Sequence, residues 1–365
     1  MSPLRVGVDA RPLSHPHTGI GRYTQAILER IARTHDVELY LYGTAPIAWT
    51  PEGAATRCPA ESAGRWQSTV TAQRRFAQWA RADRVDVFWS PRHHLPLRLP
   101  CPSAVTIHDL VWRAAPETMA PFARFVERAL MGPSISQAAR VICVSQATHD
   151  TLIRWRPTAA DKAVVVHEAA CVSPADADAP PAHPETPFFL FVGTFEPRKN
   201  LMRLVRAFLH VQNRIPHQLV LAGGTGWGGV REAIDGLLAQ HRDHRVHIAQ
   251  PGSDQELAAL YSGCDALALV SLYEGFGLPV VEAMAFGKPS IVARNSSLPE
   301  VAGEAALYVD AADEEQISQA LLQLALDPEL RGKLAAQAAG RAAKFSWDAA
   351  AQATLNQIRA AAAAR

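Results

Sequence analysis

The 365-residue sequence has no run of about 18 apolar residues, the length a helix needs to cross a bilayer. Its opening, MSPLRVGVDARPLS, carries no apolar stretch behind the basic residue and does not read as a secretory signal. Cysteine is scarce and scattered, for Cys58, Cys101, Cys143, Cys171 and Cys264 form no C-x-x-C pair. An odd, dispersed set reads as reduced thiols packed as small hydrophobes, not as a disulfide framework or a zinc site. Charge of one sign is lacking too. With 36 Lys and Arg against 35 Asp and Glu, the formal net charge is +1, far from the basic excess that marks a nucleic-acid partner. A P-loop, G-x-x-x-x-G-K-[ST], is absent. Together these absences predict a cytoplasmic globular chain, and a hydrophobic content of 48% is ample for two cores.

What is present is alternation. In the first half, strand candidates at Leu4–Val8, Val37–Tyr42, Val85–Trp89, Ser103–Ile107 and Val141–Val144 are separated by helical stretches such as Gly21–Arg33 and Pro121–Ala139. The proline- and alanine-dense run Ser173–Pro187 has no apolar period and reads as a linker. A second alternation follows, with strands at Phe188–Val192, Gln218–Ala222, Val246–Ala249, Ala266–Ser271 and Pro289–Ala293 and helices between them. Strands alternating with helices imply βαβ units and parallel sheets. The predicted fold class is therefore α/β, with two doubly wound, Rossmann-like domains facing a cleft. Ligands are expected at the carboxyl ends of the strands.

The most informative run is YEGFGLPVVEAMAFGKP, Tyr273–Pro289. Gly275 and Gly277 permit a tight turn, and Pro279 suits the first turn of a helix. The amides of a helix N-terminus then face an anion, with Glu274 before the turn and Glu282 in the first helical turn. A carboxylate accepts two hydroxyl hydrogen bonds, as a ribose or hexose requires. The competing reading is a capped surface turn with two solvated acids. In FVGTFEPRKNL, Arg198 and Lys199 follow a buried strand and can neutralise a diphosphate, although a basic pair on a loop is commonly just solvated. TGIGRY places Gly19 and Gly21 between the first strand and a helix, where amides can approach a phosphate or acceptor group or merely form a turn. VTIHDL ends a strand on His108 and Asp109, a pair read as either structural or cleft-facing.

One pattern competes. Gly224-x-Gly226-x-x-Gly229 matches a dinucleotide fingerprint. The following strand, VHIA, ends at Gln250 and Pro251 without the acid that would hold a ribose, which argues against a nicotinamide enzyme. Asp176-x-Asp178 lies in the linker and reads as solvated, so no metal site is expected.

Glu274 and Glu282 resemble the E-x(7)-E motif of retaining glycosyltransferases with the GT-B fold, family four. VGTFEPRKNL, LVLAGGTGWG and SSLPEVAGEAALYVD resemble the same family, and GVDARPLS with TGIGRYT resembles its mannosyltransferase-B-like branch, associated with O-antigen mannan assembly. The resemblance spans nearly the whole chain. It implies an acceptor-binding N-terminal domain (1–172), a linker (173–187), a nucleotide-sugar domain (188–345) and a final helix (346–365) packing back on the N-domain. It also implies that Arg198 and Lys199 hold the donor diphosphate, Glu282 the ribose and Glu274 the sugar hydroxyls. The amides of Phe276, Gly277 and Leu278 would meet diphosphate or sugar, His108 would sit beside the reaction centre, and Gly19 and Gly21 would line the N-domain side. Many relatives carry a basic residue where this chain has Thr194, so Arg198 is expected to supply that charge. Base recognition is expected from backbone near Ile248–Ser253.

The expected function is transfer of a hexose, mannose from GDP-mannose on the branch resemblance, to a lipid-linked bacterial surface glycan. Configuration would be retained and no cofactor or metal required, because Arg198, Lys199 and the helix N-terminus can balance the phosphate charge. The segment Arg65–Arg84, with Trp66, Phe76 and Trp79 among arginines, reads either as a membrane-facing surface on the anionic inner leaflet or as an ordinary half-buried helix. The alternatives are a non-catalytic nucleotide-sugar scaffold and an NAD-linked sugar-nucleotide enzyme.

Overall fold

The computed structural model describes residues 2–15, 17–59, 65–176, 186–241 and 243–364, with only the backbone of 65–67. The chain divides into an N-terminal unit (1–110, 121–168 and 346–365) and a C-terminal unit (111–120 and 169–345). Val111–Ala120 clusters with the C-terminal unit, where Val111 and Ala115 bury against Tyr273.

Among the described residues the N-terminal unit holds a seven-stranded sheet. Its strands are β1 (Leu4–Asp9), β2 (Val37–Tyr42), β3 (Ala55–Arg57), β4 (Val87–Ser90), β5 (Ser103–Ile107), β6 (Arg140–Cys143) and β7 (Ala163–Val165), in the order β3-β2-β1-β4-β5-β6-β7. The C-terminal unit holds β8 (Phe188–Val192), β9 (Gln218–Ala222), β10 (Val246–Ala249), β11 (Ala266–Leu269), β12 (Ser290–Ala293) and β13 (Ala306–Val309), in the order β10-β9-β8-β11-β12-β13. Every pairing is parallel. The central strands are short apolar runs buried along their length, as in VFWS of β4, SAVTI of β5 and ALAL of β11. That continuous burial is what a parallel sheet covered on both faces demands. In each sheet the order reverses once, between β1 and β4 and between β8 and β11. A crevice opens at the carboxyl ends of such a pair, because the flanking connections leave to opposite faces.

Several local readings shift in the structure. The helix expected at Gly21–Arg33 runs from Gly19 to Ile31, so both glycines lie in its first turn. Thr18 caps it, accepting from the Gly21 amide at 3.2 Å. The run after β1 is taken instead by a 3-10 turn, Arg11–Ser14, and Gly19 and Gly21 form no strand-to-helix loop. The helix Arg65–Ala82 turns Ala72, Phe76 and Ala80 inward, and Trp79 packs on Tyr42 and Phe76 at 5.7 Å from each. Phe76 and Trp79 are thereby spent on the core, because positions three or four apart share one helix face. Of the linker reading, 177–185, including Asp178, lies outside the described residues. Asp176 ends a short turn and accepts from the Ser173 amide and hydroxyl, both at 2.8 Å.

The helix Trp347–Ala362 belongs to the N-terminal unit and packs along Gly19–Ile31 and against β4, β5 and β6. Small residues make this close: Ala350, Ala351 and Ala361 are buried beside Leu355 and Ile358. Arg359 pairs with Asp36 at 2.8 Å on the rim. Burial and not this pairing holds the helix. Ile358→Ala is therefore expected to destabilise the N-terminal unit by about 2–5 kcal/mol, against less than about 1 kcal/mol for Arg359→Ala. Denaturant titration of both variants, followed by tryptophan fluorescence, checks this; equal losses would contradict it.

Candidate active site

The C-terminal unit's crevice lies where β8 and β11 end. β8 runs into Gly193, then a loop and a 3-10 turn, Pro197–Lys199, that presents Arg198 and Lys199. Asn200 follows at φ 57°, a left-handed conformation that asparagine tolerates. Its side-chain amide donates to the carbonyls of Val270 (3.0 Å) and Ala311 (2.7 Å), which locks the turn onto the sheet edge. The Leu272 amide donates to the Arg198 carbonyl at 2.8 Å, stitching the loop after β11 to the same turn.

Glu274 sits at the meeting point, 6% exposed. Lys199 Nζ donates to its Oε1 at 2.7 Å and Arg198 Nη1 to its Oε2 at 2.8 Å. The Ser271 hydroxyl donates to Oε1 at 2.6 Å. Arg198 also donates to the Tyr273 carbonyl at 2.7 Å and pairs with Glu196. Burial alone would raise the Glu274 pKa, but the charges of Lys199 and Arg198 and the hydrogen bonds bring it down to about 2. Burial, with Arg198 alongside, lowers the Lys199 pKa below the usual lysine value, while Glu274 acts against that shift. The cluster thus brings two cationic and two carboxylate side chains into direct contact.

The chain then turns through Gly277, at φ 105°, a value that favours glycine, into the helix Leu278–Ala285 with Pro279 in its first turn. The serines of the next loop brace this turn. The Glu274 amide donates to Ser296 Oγ (2.9 Å), and the Ser297 hydroxyl donates to the carbonyls of Glu274 (3.0 Å) and Phe276 (2.8 Å). Phe276 is buried edge-on against Phe345. Glu282, 5% exposed, accepts from the Tyr261 hydroxyl at 2.7 Å. Both glutamates of the motif are therefore buried and hydrogen-bonded, and the solvated-turn reading does not hold.

Of the dinucleotide-like glycines, Gly226 packs against a neighbouring loop, as does Gly223 just before them, while Gly224 and Gly229 meet nothing within 4 Å. A Cβ on Gly223 would lie 2.0 Å from the Gly193 carbonyl oxygen, and one on Gly226 would lie 2.2 Å from that of Phe195. These glycines let the loop after β9 press against the loop that carries Arg198 and Lys199. Near the end of β10, Ser253 caps the helix Asp254–Gly263, and Glu256 accepts from the Gly252 amide at 2.7 Å.

His108 lies in the N-terminal unit at the end of β5, buried against Tyr23 in an edge-on contact at 4.7 Å. Nε2 donates to the Pro91 carbonyl at 2.8 Å, and Nδ1 faces Glu168 Oε1 at 2.9 Å. Both ring nitrogens are engaged inside the unit, so the ring is held and not free to act as a base. Sequence reasoning missed Ser271, Asn200, Ser296, Ser297 and Tyr261. Of these, the two serines lie in the quoted SSLPEVAGE run and Asn200 in the quoted VGTFEPRKNL run, whereas Ser271 and Tyr261 carried no such signal. Among the described residues no group of three or more His, Cys, Asp or Glu side chains is arranged to hold a metal ion.

Comparison with known proteins agrees with this geometry. Residues 17–173 match Glycosyltransferase Family 4, and residues 173–341 match Glycosyl transferases group 1. The O-antigen chain mannosyltransferase B of Escherichia coli is 30% identical over 98% of this chain and 100% of its own. Sucrose-phosphate synthase from Thermosynechococcus elongatus superposes with a TM-score of 0.80 at 20% identity, over 98% of both chains. Anabaena HepE, solved in complex with UDP-glucose, superposes with a TM-score of 0.73 at 17% identity, over 97% of this chain and 99% of its own. With two parallel-sheet units, a braced E-x(7)-E turn and a full-length relative, the chain belongs to the glycosyltransferases of family four and has the GT-B fold.

Proposed function

We propose that this enzyme transfers mannose from GDP-mannose, with retention of configuration and without a metal, to a lipid-linked surface glycan at the cytoplasmic face of the membrane. The observation that carries the reading is the buried Lys199–Glu274–Arg198 cluster beside the helix N-terminus at Leu278. The mannose assignment draws on the full-length mannosyltransferase relative.

Departure of a nucleoside diphosphate breaks the bond from the anomeric carbon to phosphate oxygen, and the electron pair leaves with the phosphate. Arg198 and Lys199 meet that charge, and the amides of Phe276, Gly277 and Leu278 add the positive end of a helix dipole. Glu274 keeps the desolvated Lys199 protonated and aims both cations, while its remaining acceptor capacity suits a sugar hydroxyl. A carboxylate held at a pKa of about 2 between two cations is a poor nucleophile, which favours attack by the acceptor oxygen on the face the phosphate leaves. The acceptor's proton passes to the departing phosphate oxygen. Glu282, oriented by Tyr261, takes the ribose hydroxyls. His108 holds the loop at Pro91 in place.

For the membrane, the exposed aromatics lie on the helix Pro121–Gln137, where Phe122 and Phe125 are 50% and 64% exposed beside Arg124 and Arg128. A basic face with two aromatic wedges fits an anionic lipid surface. Among the described residues no helix is long and apolar enough to cross a membrane.

Three outcomes are expected. In a panel of GDP-, UDP- and dTDP-sugars with EDTA present, GDP-mannose binds and is slowly hydrolysed, and Glu282→Ala weakens its binding by about 10- to 100-fold; a donor bound only with a divalent ion would contradict the reading. Donor affinity falls as pH rises, starting below the pH at which a free lysine deprotonates, because the lowered Lys199 pKa removes a cation that the diphosphate needs. Glu274 stays charged throughout that range, so Lys199→Arg removes the alkaline decline. In vesicle flotation, Phe122→Ser/Phe125→Ser loses binding to anionic vesicles, whereas Arg74→Glu/Arg75→Glu weakens it far less.

A further inference from the structure

The N-terminal sheet has its own reversal, between β1 and β4, and the carboxyl ends of that pair carry a second buried polar cluster. β1 ends on Asp9, which is fully buried and gripped by Arg11 through its Nε at 2.8 and 3.1 Å. β4 ends on Ser90, whose hydroxyl donates to the carbonyls of Arg92 and His94, both at 2.8 Å, and so folds Pro91–His94 back over the crevice. From the helix Pro121–Gln137, Glu127 Oε2 meets His93 Nδ1 at 3.3 Å and His94 Nε2 at 3.0 Å. The His93 ring also lies 5.8 Å from that of His108.

Two features of this cluster are unspent. His93 is 8% exposed, yet its Nε2 has no hydrogen-bond partner. Among the described residues the Arg92 guanidinium makes no hydrogen bond or ion pair, although it lies in the field of Asp9, Arg11 and Glu127. Buried polar groups in native proteins are nearly always paired, so the unpaired His93 Nε2, beside the half-buried Arg92 guanidinium at a topological reversal, marks a place for a ligand.

Charge says which ligand. Arg11 is consumed by Asp9, and His108 faces Glu168. With His93 neutral, Glu127 and the half-buried Asp109 outnumber Arg92. The crevice thus has no positive surplus to hold an anion. It offers a guanidinium donor beside an imidazole nitrogen, a combination suited to neutral hydroxyls. Because Nδ1–H points at Glu127, the Nε2 of the neutral ring is a lone pair ready to accept from an O–H.

We propose that His93, oriented by Glu127 and flanked by Arg92, binds a hydroxyl of the glycan acceptor in the crevice between β1 and β4. The proposal rests on the reading of the chain as a sugar transferase. It adds a residue and a protonation state, since only neutral His93 accepts the hydroxyl. Burial disfavours a charged His93, but Glu127, aided by Asp109, outweighs burial and the opposing charge of Arg92 and holds the ring above the usual histidine pKa. His94, by contrast, is kept below that value by burial. Acceptor binding is therefore weakened as pH falls through the raised His93 pKa.

The test is NMR of the full-length protein with 13Cε1-labelled histidine, titrated with methyl α-mannoside, methyl α-glucoside and methyl β-N-acetylglucosaminide. The His93 signal is assigned by its loss in His93→Gln, or by its altered midpoint in Glu127→Gln if the first variant does not fold. At least one glycoside is expected to move the signal saturably and to lower its midpoint by about half a pH unit, the linkage of a roughly threefold preference for the neutral ring. Glu127→Gln should lower the midpoint of the free protein, and Lys199→Met should leave the glycoside response intact. The proposal is overturned if no glycoside moves the signal, if the midpoint rises on binding, or if Lys199→Met abolishes the response. Failure here with GDP-mannose binding intact would remove the acceptor contact alone, whereas loss of donor binding would remove the transferase reading.

Discussion

Glu274 carries the C-terminal crevice. A carboxylate this deeply buried costs several kcal/mol to desolvate, and so does the ammonium of Lys199. Neither is tolerable alone. The turn after β8 and the loop after β11 are each shaped to bring one of the two charges to the other. Asn200 accepts a left-handed backbone to tie the first to the sheet edge, and Ser296 does the same at φ 48° to receive the Glu274 amide. Two strained residues on either side of one ion pair fit a site whose geometry is imposed by its surroundings and not by its own preference. Removing Glu274 leaves the buried Lys199 ammonium uncompensated, at a cost of about 3–5 kcal/mol, whereas removing Lys199 leaves Glu274 still paired with Arg198. Substitution at Glu274 therefore confounds loss of catalysis with loss of fold, and the more exposed edges of the site report more cleanly on chemistry.

The glycines of the loop after β9 belong to the same construction. Gly223 and Gly226 sit where any side chain would collide with the backbone of Gly193 and Phe195. Their absence of side chains lets one loop brace another, and the braced loop is the one that delivers Arg198 and Lys199. The middle glycine of a run that reads as a phosphate-binding fingerprint is here a packing requirement one layer behind the charges. The physical demand, close backbone approach after a parallel strand, is the same in both uses, and the string of letters alone does not separate them.

That ambiguity shows where sequence reasoning was strong and where it ran out. Alternation of β-branched runs with amphipathic stretches located most of the strands, and it separated two α/β halves, because parallel strands buried on both faces are written as continuous apolar runs. The short edge strands β3 and β7 escaped it, since three residues pairing at a sheet margin carry no periodic signal. Glu274, Glu282, Arg198 and Lys199 were legible because charge beside glycine and proline at a strand end is unusual. Ser271 and Tyr261 were not, because a serine and a tyrosine are ordinary residues whose value lies in a tertiary hydrogen bond. The aromatic residues of Arg65–Ala82 show the converse. Phe76 and Trp79 among arginines resemble an exposed surface until the helical phase is fixed by what they pack on.

The two units answer one topological problem with different chemistry. Each doubly wound sheet opens a crevice where its strand order reverses, and each fills that crevice with buried charge. In the C-terminal crevice Arg198 and Lys199 each have a carboxylate in direct contact, so a polyanionic leaving group can be received by exchange of partners within a rigid frame. Among the described residues the N-terminal crevice has no positive surplus and leaves the His93 Nε2 and the Arg92 guanidinium without a hydrogen bond. An anion entering there would meet carboxylates, which a neutral hydroxyl does not oppose. A group transfer needs one place that tolerates developing negative charge and another that presents an uncharged nucleophile, and under the proposed function this difference in pairing would assign the two tasks to the two sheets.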